Sequence, residues 1–298
     1  MISFSPITLE DAAWICPLLK EANYQGSEYS FTNHYCWKNS YHIQVAQFQG
    51  FYLAKTTHRD KTSYLMPVGK GPLREPVAAL MQDAQERQIP FQMHGVLAQK
   101  YPELQEEFPG VFHIQPVREI ADYIYDAVKL KTLTGKKLHS KRNHINRFRQ
   151  KYPRFDFSPI SQENLPQCVQ LHHVWGEYHR ELSTEDLNEE LGAVQMMLDH
   201  FQQLHLQGGI LQADGEPVAY TIGEPLNHNT YVIHAEKALY HVPGAYPMIN
   251  QLFAQSIDER FCYINREEDM GDEGLRKAKL SYQPAYLLEK AVVTLMDS

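Results

Sequence analysis

Apolar and polar positions in the second half of the chain follow periods that switch between helix and strand. Apolar residues recur every three to four positions from Asn164 to about Tyr178 and from Asp186 to Leu204, predicting two helices. Ser183 or Thr184 is a cap candidate for the second, and Gly208-Gly209 ends it. A strand, Ile210 to Ala213, then meets Asp214-Gly215, a two-residue hairpin signal leading into a strand from Val218 to Gly223. A third strand, Thr230 to Ala235, follows the polar turn Asn227-His228-Asn229. The loop at Pro243-Gly244-Ala245 opens a helix from about Tyr246 to Asp258, and a strand runs from Phe261 to Ile264. After an acidic loop, Asn265 to Glu273, comes a short helix stopped by Pro284 and a last strand, Tyr286 to Leu295.

The first half repeats this order. A helix from Leu9 to Glu21 precedes strands at Ile43 to Phe48, Phe51 to Lys55 and Ser63 to Met66. The tight loop Pro67 to Pro72 opens a helix from Leu73 to Gln88. A strand (Phe91 to Val96), a helix (Gln99 to Phe108) and extended segments to about Lys131 follow. Two runs of one order predict tandem copies of a single α+β unit, at residues 1–132 and 155–298, each a mixed, mainly antiparallel sheet flanked by helices.

Between them, residues 133–154 predict a basic linker helix. From Thr134 to Arg154 the chain holds eight Lys or Arg and no Asp or Glu. Leu138, Ile145, Phe148 and Tyr152 form one narrow apolar stripe along it, suited to docking. The net charge of −8 is therefore a poor summary: outside this segment 20 basic residues face 36 acidic ones, a balance of −16. An acidic whole argues against polyanionic partners, and this segment escapes the argument. Its functional reading is phosphate recognition through Lys136, Lys137, Lys141, Arg142 and Arg147; its structural reading is a basic strut held by acidic domains.

The remaining composition narrows the class. With 43% hydrophobic and 21% charged residues the chain is globular, and its length serves one large domain or two. No apolar run approaches the roughly 18 residues of a membrane span, and the N-terminus has no secretion-signal pattern, so a cytoplasmic protein without a transmembrane segment is expected. The four cysteines are scattered, and the histidines lack zinc-ligand spacing, so neither a disulfide framework nor a metal is expected.

The hairpin phrase Leu211-Gln-Ala-Asp-Gly-Glu-Pro-Val-Ala219, followed by strand, glycine loop and helix, resembles the GNAT acyltransferase superfamily. Three further phrases narrow the resemblance: Leu133 to Phe148, Asn265-Arg-Glu-Glu-Asp-Met-Gly-Asp-Glu-Gly-Leu-Arg276, and Lys279-Leu-Ser-Tyr-Gln-Pro284. Together they are similar to the family related to the C-terminal domain of phosphatidylglycerol lysyltransferase, which in that enzyme is two GNAT folds joined by a basic helix. The resemblance implies a tandem GNAT-like transferase that moves an aminoacyl or acyl group to an amine or hydroxyl acceptor, a small molecule or a lipid headgroup. The donor is aminoacyl-tRNA, its acceptor arm meeting the basic helix, or acyl-CoA; no tightly bound cofactor is implied. The alternatives are an acyl-CoA-dependent N-acetyltransferase and a non-catalytic RNA- or partner-binding protein that keeps the fold.

In GNAT folds the donor's phosphates sit on backbone N–H groups at the start of the helix after the glycine loop. The corresponding positions are Val242, Pro243, Gly244, Ala245 and Tyr246, with His241 and Tyr246 departing from the superfamily's usual first and last loop residues. A plain loop-to-helix turn is the alternative. In the acidic loop, Glu267 and Asp269 are candidates for general base or ammonium anchor. Competing readings are a solvated turn capping the next helix through Asp272, and a calcium loop, which Gly271 and Arg276 fit poorly. Arg276 and Lys279, three apart on the short helix, either meet an anion on the donor or pair with the acidic loop.

Overall fold

The computed structural model describes residues 2–179 and 184–296, which form two units, Met1–Asp122 with Leu288–Ser298 and Tyr123–Leu287. In the first, β1 (Ser5–Pro6) precedes α1 (Ala12–Ala22) and the short helices α2 (Phe31–Cys36) and α3 (Lys38–Tyr41). The strands β2 (Gln44–Phe48), β3 (Phe51–His58) and β4 (Lys61–Leu65) are antiparallel neighbours. Helix α4 (Arg74–Glu86) then crosses over to β5 (Gln92–Leu97), which lies parallel to β4, and α5 (Tyr101–Glu107) leads to β6 (Phe112–Pro116).

The chain enters the second unit through β7 (Asp122–Asp126). Residues expected to be extended as far as Lys131 instead turn into α6 (Ala127–Thr132), because the Asp126 carboxylate caps it, accepting from the Lys129 N–H at 2.8 Å. Helix α7 (His139–Lys151) carries the basic segment, and β8 (Phe155–Pro159), α8 (Leu165–His179) and α9 (Glu185–Asp199) follow. Thr184 caps α9 by accepting from Leu187 N–H, while Ser183 lies outside the described residues. Then come β9 (Gln207–Ala213), β10 (Glu216–Pro225) and β11 (Thr230–Ala238). The turn between β9 and β10 has Asp214 at φ +52° and Gly215 at φ +90°, the left-handed pair that Asp-Gly supplies. Helix α10 (Ala245–Ser256) leads to β12 (Tyr263–Asn265), then α11 (Glu273–Leu280) and β13 (Tyr286–Leu288).

The expected last strand breaks at Glu289. Its first part, β13, stays in the second unit's sheet, of order β13-β7-β12-β11-β10-β9-β8. Its second part, β14 (Lys290–Leu295), lies between β5 and β6 in the first unit's sheet, of order β1-β2-β3-β4-β5-β14-β6. Each unit is thus an α+β domain with a seven-stranded mixed sheet among the described residues. The unit boundaries differ from 1–132 and 155–298: β7, α6 and α7 belong to the second unit, and the chain's final strand to the first.

Two local interactions explain those boundaries. Lys290, fully buried, donates to Asp122 Oδ1 at 2.8 Å and pairs with Glu28 Oε1 at 2.6 Å, while Asp122 also accepts from the Ser27 N–H and hydroxyl. This ion cluster locks β14 into the first unit. In the second unit the predicted stripe of α7 docks as expected: Leu138, Ile145 and Phe148 are buried in the core with Met248, Ile249 and Phe253 of α10, and Tyr152 packs at its edge. The approach is close because residue 244 is glycine. A Cβ there would stand 2.5 Å from the His144 carbonyl oxygen, and the residue's φ of +87° strains any L side chain.

Replacing Lys290 by Met leaves Asp122 buried without its cation. A loss of about 3–5 kcal/mol in urea unfolding of the first unit is expected. Gly244→Ala should lower the second unit's stability by more than about 1 kcal/mol in the same measurement, since it combines the clash with a left-handed backbone.

Candidate active site

Strand β11 pairs with β12 only through Thr230, Tyr231 and Val232, opposite Tyr263, Ile264 and Asn265, in parallel register. Beyond them β11 continues along β10 alone, and the two strands part. At the same place β11 bulges. Ile222 of β10 faces Ala235 and Gly223 faces Ile233, so His234 is an extra residue without a partner in the ladder. A parting inside a sheet leaves polar backbone edges that must be satisfied. Here ionisable side chains from both strands span it.

One set centres on Glu236. Its Oε1 accepts from Arg266 Nη2 at 3.0 Å and its Oε2 from Asn250 Nδ2 of α10 at 2.9 Å. The Arg266 guanidinium lies over the ring of Tyr282 at 4.9 Å and near that of Tyr125 at 5.7 Å. Lys141, from α7, places Nζ 3.9 Å above the Tyr282 ring centre. Burial pushes the lysine down to about 8, with Arg266 adding to the effect and Glu236 opposing it. The Tyr125 and Tyr282 hydroxyls are driven well above their ordinary range, chiefly by burial, and stay protonated. Two buried atoms of this set, Asn250 Oδ1 and Arg266 Nη1, have no hydrogen-bond partner, an acceptor and a donor left open beside one carboxylate.

The other set centres on His234, whose side chain is fully buried. Nδ1 lies 2.8 Å from Glu267 Oε1 and Nε2 3.0 Å from Glu224 Oε1. Burial alone would lower this imidazole's pKa, but the hydrogen bonds and charges of the two carboxylates outweigh it and raise the value to about 9. It is therefore an imidazolium at neutral pH, and the trio carries one net negative charge. Glu267 takes a left-handed backbone, φ +57°, as the chain turns away from β12.

The sequence-predicted residues separate into groups. Glu267 stands at the parting. Asp269 does not: it is buried, accepts from Arg276 Nε and Nη2 at 2.9 Å each, from the Tyr123 hydroxyl at 2.5 Å and from the Gly271 N–H at 2.9 Å. With its oxygens so engaged it fixes the acidic loop. Arg276 is held by that pairing, and Lys279 Nζ donates to the carbonyls of Arg266 and Glu268, so both hold the loop. Asp272 caps α11 through Leu275 N–H at 2.6 Å.

At the start of α10, Val242 and Ala245 are buried in the core and Gly244 faces the α7 backbone. Tyr246 is partly exposed, its hydroxyl accepting from Trp175 Nε1 at 3.1 Å. Along the basic segment Lys136, Lys137 and Arg147 are exposed, whereas Arg142 turns back to the carbonyls of Leu133 and Gly135, and Lys141 points inward. A cavity of about 200 Å³ lies beside α7, lined by His139, Asn143, Asn146, Arg149 and Gln251 among others. Sequence reasoning missed Glu236, His234, Glu224 and Asn250. The signal for His234 and Glu236 is the His-x-Glu pair that interrupts the apolar residues of β11, with Lys237 beside it.

These features can be set beside known proteins. Residues 20–293 match the family described as phosphatidylglycerol lysyltransferase, C-terminal. A conserved protein of unknown function from Bacteroides thetaiotaomicron is 40% identical and superposes with a TM-score of 0.94, covering 99% of this chain and 100% of its own. The L-PGS of Bacillus licheniformis shares the fold, with a TM-score of 0.67 at 14% identity over 99% of this chain and 93% of that one. An uncharacterized protein of Mycoplasmoides gallisepticum is 24% identical over 175 residues, 58% of this chain, which spans only about half, 55%, of that relative's length. No helix among the described residues is long and apolar enough to cross a membrane. The chain belongs to the family of the phosphatidylglycerol lysyltransferase C-terminal domain.

Proposed function

We propose that this chain moves an aminoacyl group from aminoacyl-tRNA to an amine or hydroxyl acceptor, and that the transfer takes place where β11 parts from β12. The observation that carries this reading is the pair of open polar atoms beside Glu236. An aminoacyl ester presents an ammonium next to a carbonyl. Glu236 with Asn250 Oδ1 suits the ammonium, and Arg266 Nη1 suits the carbonyl oxygen, whose negative charge grows as the acceptor adds. Glu267, within the net-negative trio around His234, remains the candidate anchor for a second cationic group, such as an amine acceptor or a basic donor side chain.

Two features support tRNA over coenzyme A. The α7 backbone lies against Gly244, where a pyrophosphate would approach the helix start. The exposed Lys136, Lys137, Arg147, Arg149 and Lys151 offer a ready surface for a phosphate backbone. A small molecule or lipid headgroup serves equally as acceptor on this reading.

Incubation with charged tRNA and candidate amines or hydroxyls tests it. Transfer above the uncatalysed background is expected, and Glu236→Gln should lower it by about 10²-fold while keeping the side chain's shape. Transfer from an acyl-CoA, with no turnover of charged tRNA, would replace this reading by the coenzyme-A one. RNA binding through five exposed cations should give a log–log salt slope of roughly −4, and Lys137→Ala with Arg147→Ala should reduce the slope by about 2. Stability should also depend on His234. Its value is raised to about 9 in the folded state, so the stabilisation is complete below the unfolded value of 6.5 and lost as pH rises through 9. Urea unfolding from pH 6 to 10 should show a decline in that window, and His234→Gln should flatten it.

A further inference from the structure

We infer that Lys141 is the group that takes the proton from the acceptor and returns it to the departing tRNA in this transfer. The inference rests on the aminoacyl-transfer reading above and adds a residue to it. Of the basic residues in the linker segment, Lys141 alone lies over an aromatic ring of the Glu236 set, and its amine has no hydrogen bond or ion pair among the described residues. The other groups around it come from four elements. They are Glu236 on β11, Arg266 after β12, Tyr125 on β7 and Tyr282 after α11.

None of these is suited to accept a proton. Arg266 is permanently cationic, and its value is raised further by its neighbours against the effect of burial. The two tyrosines hold their protons, and Glu236 already accepts from Arg266 and Asn250. Glu267 is engaged by the His234 imidazolium. Burial brings the lysine to about 8, so about a tenth of the population is neutral at pH 7, enough to serve as a base near the working pH.

The step balances without any further reactant. As the acceptor's oxygen or nitrogen bonds to the ester carbonyl carbon, its proton passes to the lone pair on Lys141 Nζ. The carbonyl π electrons move onto the oxygen facing Arg266 Nη1. Collapse of that adduct breaks the carbon–oxygen bond to the tRNA's terminal ribose, and the Lys141 ammonium returns its proton to the leaving ribose oxygen.

Trace acylation of the intact chain with acetic anhydride across pH 6–11, read lysine by lysine by mass spectrometry, tests the amine without any donor. Lys141 should label with a midpoint near 8, and Glu236→Gln should move that midpoint lower, since the carboxylate holds it up. In the transfer assay the wild-type rate should rise with pH to a plateau near 8. Lys141→Arg keeps the charge but holds its proton, and should lose at least 100-fold in rate while binding RNA within twofold of wild type. A Lys141 that labels like the surface lysines, or an arginine variant within threefold of wild type with an unchanged pH profile, overturns the inference and leaves the transfer reading standing. Labelling near pH 8 with no transfer from any charged tRNA overturns the transfer reading itself, and this inference with it.

Discussion

The second unit depends on how the space between β11 and β12 is filled after their third paired residue. Parallel strands that part expose backbone and a wedge of space inside the sheet. Apolar side chains could fill such a wedge, and replacing a buried ion pair by packed apolar groups is often neutral or stabilising. Instead Glu236 and Arg266 meet across it with side chains only 7% and 13% exposed, and each brings a buried partner atom or neighbour that is left open. The arrangement costs desolvation and leaves an acceptor and a donor open; on the proposed reading they receive a small polar group, which accounts for charges in a place where stability alone does not ask for them.

Helix α7 joins that set of side chains to the surface. Its apolar stripe fixes it to α10, its outward face carries cations, and Lys141 reaches from the same helix over Tyr282. The basic segment therefore has two electrostatic roles at once. Two of its eight cations, Lys141 and Arg142, are turned to internal groups, and the rest face solvent. A polyanion held on the outward face would lie against the same helix that supplies a side chain to the parting, so on the proposed reading recognition and chemistry share one element.

Much of the fold was legible because its signals are local. The Asp214-Gly215 turn, the stripe of α7, the glycine before α10 and the repeated order of elements each depend on residues close in sequence. The destination of β14 was not legible. Tyr286 to Leu295 reads as one extended run, and only the burial of Lys290 against Asp122 and Glu28, more than 160 residues away, sends its second part into the other sheet. The site was legible in part for the same reason. The acidic loop announced itself by charge density, yet density does not tell an engaged carboxylate from an open one, and Asp269 is closed by Arg276 and Tyr123. Glu236 and His234 sit in a largely apolar strand, and their meaning appears only when Arg266 and Glu267 arrive from the turn after the next strand.

On the proposed reading the set around Glu236 receives an aminoacyl head group. Calorimetric titration of the wild type and of Glu236→Gln with a non-hydrolysable 3′-aminoacylamino-adenosine, beside the same nucleoside lacking the aminoacyl group, tests it most directly. The wild type should bind the aminoacylated compound at least tenfold more tightly than the bare nucleoside, and the glutamine variant should lose this difference. Equal affinity of the wild type for both compounds, or a preference that survives in the variant, would contradict it.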